Sequence, residues 1–275
     1  MLWLLLLQVW ASCLWQGHSE VGTSFGNCLK FFYQNNTPNN ALNPKNPAWI
    51  CQRYKNRYHY ATLYDRDLRI PVYSAYTYQG ERGSRPTTPW MLEPQLIDPT
   101  CPSDMQTVST IPKACIRQPT NQSQAVNQDY DNQTGFNRGH LNPSGHHKNN
   151  SLAQIATFTL TNAVPQNSTL NRGAWRSYEQ NTMPQRSKNC TTTYVIVGAV
   201  TGNTSIANGR VNVPSHIWAS ACCKMNNNTM SAWAVIAQNK ENQVQNLTLE
   251  ELETKLSRLY NRGKVSLFHK NCPRK

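Results

Sequence analysis

Nine cysteines, one just after an apolar N-terminal run and eight spread over the rest, restrict this 275-residue chain more than any other feature. The run from Leu2 to Trp10, followed by small residues at Ala11, Ser12 and Cys13, has the order of a cleaved secretory leader covering about residues 1–20. It is too short to cross about 30 Å of hydrocarbon comfortably. Cleavage removes Cys13 and leaves Cys28, Cys51, Cys101, Cys115, Cys190, Cys222, Cys223 and Cys272, an even set. Zinc would need close pairs such as C-x2-C, and none is present, so the eight are expected to form disulfides in an exported protein. Cys101 and Cys115 bracket a Pro-containing segment and suggest a local bridge contributing about 3 kcal/mol. Adjacent Cys222 and Cys223 are expected to take different partners, and the remaining pairing stays open.

Asn-X-Ser/Thr acceptors at Asn35, Asn121, Asn132, Asn149, Asn167, Asn189, Asn203, Asn227 and Asn246 suit a secreted glycoprotein. Glycans at Asn132, Asn149 or Asn167 would crowd a substrate groove formed near them. No later stretch has the apolar length of a membrane span, and no repeat, heptad series or long linker divides the chain. Residues 21–275 are therefore expected to form one soluble, extracellular domain.

Lysine and arginine outnumber aspartate and glutamate 27 to 14, and the net charge of +13 favours polyanionic partners. The segment "CQRYKNRYHYATLYDRDLR", residues 51–69, mixes cations with tyrosines that would suit phosphate contact and base stacking. The commoner meaning of such a pattern is a strand with alternate residues buried and its charges solvated. "HYATLYD" and "LRIPVYSAYTY" predict two strands joined around Asp65 to Asp67. "TYVIVGAV", "VNVPSHIWASACC" and "MSAWAVIAQ" add more, and "LTLEELETKLSRLY", residues 247–260, predicts an amphipathic helix with acidic early turns. The expected class is α+β, with a mixed, largely antiparallel sheet and flanking helices.

Two motifs carry chemistry. "NRGHLNPSGHH", residues 137–147, offers Arg138 and His140, and "TLTNAVPQNSTLNRGAWRSYEQ", residues 159–180, offers Asn162, Asn171 and Glu179. Helix spacing leaves Asn171 and Glu179 on roughly one face, about 12 Å apart along the axis, able to look back at His140. A hard ion such as Mg2+ keeps several waters and often uses one or two protein oxygens, so a single asparagine suffices. A neutral imidazole can take a proton from water attacking phosphorus, and Arg138 can stabilise the resulting charge. Trp175 suggests core packing, Asn162 a hydrogen bond supporting the site, and His146 and His147 surface or supporting positions.

In "NRGHLNP" and "TNAVPQNSTLNRGAW", with Glu179 following, the chain resembles the DNA/RNA non-specific endonucleases with a ββα-metal finger. The resemblance spans most of the chain after the leader and is strongest between residues 50 and 180. It implies a metal-dependent endonuclease acting on DNA and/or RNA through the backbone, with Mg2+, or Mn2+ or Ca2+, as the ion and 5′-phosphate ends on the products. His140 matches the general base, Asn171 the direct metal ligand, and Glu179 a group holding the ion's water. Arg85, in "GERGSRPTTPW", matches an additional arginine, though its spacing to Trp90 is altered. Asn137 stands where the family commonly has aspartate, which would remove a negative charge beside the metal–water network. The competing expectation is a catalytically weak or inactive secreted protein that binds nucleic acid or other polyanions on the same scaffold.

Overall fold

The structure, a computed structural model, describes residues 20–81, 85–116, 122–131 and 133–275. The leader with Cys13, and the acceptors Asn121 and Asn132, lie outside these residues. Short strand β1 (Val21–Gly22) leads to β2 (Pro47–Tyr54), β3 (Arg57–Asp65) and β4 (Ile70–Tyr78). Further on come the one-turn helix α1 (Pro94–Ile97), β5 (Phe136–His140), α2 (Ser151–Ala156) and β6 (Ala163–Asn167). A helical run follows: α3 (Ser168–Arg172), α4 (Ala174–Ser177), a π-helical stretch Tyr178–Thr182 and α5 (Met183–Ser187). The chain then forms β7 (Cys190–Val200), β8 (Thr204–Ile206), β9 (Val211–Val213), β10 (His216–Met225), β11 (Met230–Gln238), β12 (Gln245–Leu247) and α6 (Leu249–Tyr260).

Eight strands make one antiparallel sheet in the order β1-β2-β3-β4-β7-β10-β11-β12. Apart from it, β5 and β6 pair antiparallel and run into α3, which gives the expected ββα unit. One face of the sheet packs against this unit through Tyr60, Tyr76, Leu160, Trp175 and Trp233. On the other face, Trp218 of β10 packs with Phe25, Phe32 and the Leu252 and Leu256 stripe of α6. Two covered faces explain why β3 departs from alternation: Tyr60 through Asp65 are all buried. The reading of residues 51–69 as alternately buried is corrected accordingly, with exposed Lys55, Asn56 and Arg57 gathered at the β2–β3 turn.

Successive residues of a strand point to opposite faces, and β10 uses this for its adjacent cysteines. Cys223 joins Cys190 on the side of the ββα unit, while Cys222 joins Cys272 on the side of α6 and fastens the C-terminal segment. The local Cys101–Cys115 bridge is present, and Cys28–Cys51 ties the N-terminal turns to β2. The predicted helix at 247–260 begins two residues later, because Thr248 forms a capping box with Glu251 while Leu247 still pairs in β12. The predicted strand "VNVPSHIWASACC" is split at Pro214 into β9 and β10. Among the described residues no helix is long and apolar enough to cross a membrane.

β1 is docked by a buried acid pair. Glu20 accepts from the Arg53 amide, and Glu93 accepts from the hydroxyls of Thr159 and Thr161. Burial first, and for Glu20 the charge of Glu93 next, pushes both above the usual carboxylate range.

Candidate active site

On β5, Arg138 and His140 share one face and Asn137 and Gly139 the other. The Arg-Gly-His core needs its glycine because Gln166 of β6 lies across that second face, where a Cβ at 139 would stand 2.5 Å from the Gln166 Cβ. The turn leaving β5 is held by Asn162. Its Oδ1 accepts from the Asn142 amide and the Ser74 hydroxyl of β4, and its Nδ2 donates to the carbonyls of Asn142 and Thr157. Asn162 is fully buried, so the expected supporting role has a specific form: it ties the turn after His140 to the central sheet.

A cleft of about 370 Å3 brings together Arg85, Arg138, His140, Asn171 and Glu179, with Glu81, Ser144, His146, Arg172 and Arg176 around them. His140 is half-buried in an aromatic corner, 4.9 Å between ring centroids from Trp90 and 4.9 Å, edge-on, from Phe158. Desolvation, then the Arg85 charge, hold its pKa down to about 3, so the ring is neutral. The Arg85 guanidinium lies over Phe158 at 4.9 Å. Arg138 donates to the Asn127 carbonyl and to Asp131, with its guanidinium over Tyr130 at 5.3 Å. Its Nε and the His140 Nε2 are buried and have no hydrogen-bond partner.

Asn171 sits in α3, whose N-terminus is capped by the Asn167 carboxamide accepting from the amides of Thr169 and Leu170. The expectation of one helix from Asn171 to Glu179 is corrected. Gly173, at φ −106° and ψ −111°, breaks the run, and Glu179 lies in the π-helical stretch. The shared cleft thus arises from a break plus a widened turn rather than from uniform helical phase. Burial first, and the nearby Glu81, raise the Glu179 pKa to about 8, opposed by the neighbouring Trp175 indole and the charge of Arg176. Trp175 is buried in the core as expected.

His146 and His147 are not surface residues: both are 1% exposed. His146 bridges the Tyr76 hydroxyl and the Glu179 backbone carbonyl, and His147 contacts Asn142 Oδ1. Asn137 is held by two residues of α3. Its Oδ1 accepts from the Ser168 hydroxyl and, at 3.5 Å, from Arg172, on the strand face turned from His140. Sequence reasoning passed over Glu81, Arg172 and Arg176; the two arginines flank Asn171 and Trp175 and were legible there as cations on the helical run.

Comparison with known proteins agrees with this architecture. Residues 37–274 match the model of the DNA/RNA non-specific endonuclease family. The human Endonuclease domain-containing 1 protein is 31% identical over 211 residues, covering 75% of this chain and 40% of that protein. The mouse protein of the same name is 30% identical over 259 residues, 90% of this chain and 48% of that one. This chain therefore spans about half the length, or less, of those relatives. A chain in the crystal structure of the EndoG/EndoGI complex shares the fold with a TM-score of 0.55 at 17% identity, covering 86% of this chain and 91% of that one.

Proposed function

The chain belongs to the DNA/RNA non-specific endonuclease family, and from that premise we propose that it is a secreted, Mg2+-dependent endonuclease hydrolysing phosphodiester bonds of DNA and/or RNA. The observation that carries the reading is the single cleft lined by His140, Arg138, Arg85, Asn171 and Glu179. Four disulfides and the surplus of cations agree with an exported protein that meets polyanions.

The donor chemistry fits a hard divalent ion. Asn171 and Glu179 offer oxygens to one cleft, and among the described residues no group of three or more His, Cys, Asp or Glu side chains could hold a metal. Two such oxygen donors suit an ion that retains most of its waters, as Mg2+ does. Asn171 would hold it directly and Glu179 through water. Once bound there, the chemistry it supplies is stabilisation of charge developing on the leaving oxygen.

The side chains do the rest. With Nε2 shut away, His140 uses Nδ1 to take the proton of the attacking water as its oxygen bonds to phosphorus. The P–O bond to the departing sugar breaks in the same displacement, and that oxygen takes a proton from solvent. Arg138 and Arg85 bind the phosphate oxygens and resist the extra charge they gain.

The test is plasmid cleavage with Mg2+, with and without EDTA, for wild type and His140→Ala. Cleavage should be chelator-sensitive and fall about 10²- to 10⁴-fold in the variant. Plasmid retardation should persist in the variant, because phosphate affinity comes from many separated cations. Retardation without cutting by the wild type would replace this reading with that of a polyanion-binding protein.

A further inference from the structure

The helical run beneath Glu179 contains a proline whose effect is felt five residues earlier. The Met183 amide reaches back to the Tyr178 carbonyl, an i to i+5 bond. In that register the Glu179 carbonyl would look to the amide of residue 184, which is Pro184 and has no N–H. The donor comes instead from another part of the chain: His146 Nε2 lies 3.1 Å from the Glu179 carbonyl oxygen. A carbonyl only accepts, so Nε2 carries the proton, and Nδ1 accepts from the Tyr76 hydroxyl at 2.8 Å. Tyr76 is fully buried in β4, and Tyr78 stands edge-on to the imidazole at 4.9 Å. Ser74, two residues before Tyr76 on the same face of β4, is the residue that grips Asn162 under His140.

We infer that His146 is a positioning residue for Glu179: by bridging Tyr76 to the carbonyl that Pro184 leaves unpaired, it fixes the π-helical turn that directs the Glu179 carboxyl group into the cleft. Neighbouring residues of β4 thereby hold both halves of the site in one register. The inference rests on the proposal that Glu179 works in that cleft.

The experiment compares His146→Leu, which removes the donor, with His146→Gln, whose amide N–H can replace it. Cleavage and Mn2+ binding are both measured, the latter by electron paramagnetic resonance on the purified chain without nucleic acid. The leucine variant should lose about 10- to 100-fold in kcat and in Mn2+ affinity with KM for DNA little changed, and the glutamine variant should recover most of both. Should His146→Leu fail to fold, Tyr76→Phe removes only the hydroxyl behind the imidazole and should lower kcat in the same direction. Wild-type values in His146→Leu, or equal losses in the leucine and glutamine variants that follow their melting temperatures, would overturn the inference. A wild type that neither cuts nor binds Mn2+ would sink the nuclease reading instead. Ring-nitrogen NMR then decides the bridge: an Nε2–H tautomer of His146 supports it and an Nδ1–H tautomer overturns it.

Discussion

Gly139→Ala adds one methyl group between the two residues on which the proposed chemistry depends. The new Cβ would overlap Gln166 Oε1 and lie 2.5 Å from Gln166 Cβ and 3.1 Å from its Cδ. The amide end of Gln166 can rotate away, but its Cβ is fixed to β6, which is hydrogen-bonded to β5. Ordinary contact begins near 3.4 Å, so the strands must part by about 0.9 Å, the difference between 3.4 and 2.5 Å. Overpacking of this kind costs about 1–3 kcal/mol, which lowers the melting temperature by roughly 2–12 °C in a domain of this size. Because β5 carries His140, a shift near 1 Å should slow cleavage about 10²-fold.

Thermal unfolding by circular dichroism and single-turnover cleavage at saturating Mg2+ measure the two effects separately. A Gln166→Ala background keeps the offending Cβ and should not rescue Gly139→Ala. A Gln166→Gly background removes it and should restore most of the lost stability and rate. If Gly139→Ala behaves as wild type, or if Gln166→Gly gives no rescue, the steric account of the glycine is wrong.

Three further outcomes follow from the charges. Glu179, raised to about 8, keeps its proton at neutral pH until a cation displaces it, so Mg2+ affinity should tighten between pH 6 and 8 by at most about tenfold per unit. Calorimetric titration should find that slope in wild type and lose it in Glu179→Gln; a flat wild-type profile would contradict the assignment. The Glu20–Glu93 pair binds more protons folded than unfolded, so its stabilisation is greatest in acid and declines as pH rises above about 4.5, by at most about 1.4 kcal/mol per unit per proton. Glu93→Gln should therefore melt higher than wild type at pH 8 but not at pH 4, and equal destabilisation at both would refute the upward shift of this pair. Asn137→Asp should change the rate and the half-saturating Mg2+ by less than about threefold, since the carboxylate would meet the exposed Arg172; a tenfold gain in a Mg2+ series would return Asn137 to the neighbourhood of the ion.

Wherever a property depends on neighbours along the chain, the sequence by itself determined it. The strand at Met230–Gln238 and the capped helix ending at Tyr260 follow from local pattern. The separation of Cys222 from Cys223 likewise needs only the two-residue period of a strand. His140, Arg138, Asn171 and Glu179 could be picked out as candidates because their motifs are contiguous, and the fold places them around one cleft. Tertiary structure decided what depended on residues far apart in sequence. It buried β3 on both faces by covering the sheet twice, and it turned Asn137 toward Ser168 and Arg172. It also made His146 an interior residue, because the donor missing at Pro184 has to be supplied from 38 positions away, by a side chain that only the packing of β4 against the helical run brings within reach. Periodicity cannot encode such a partner, since a buried carbonyl constrains the chemistry of its donor but not that donor's place in the sequence.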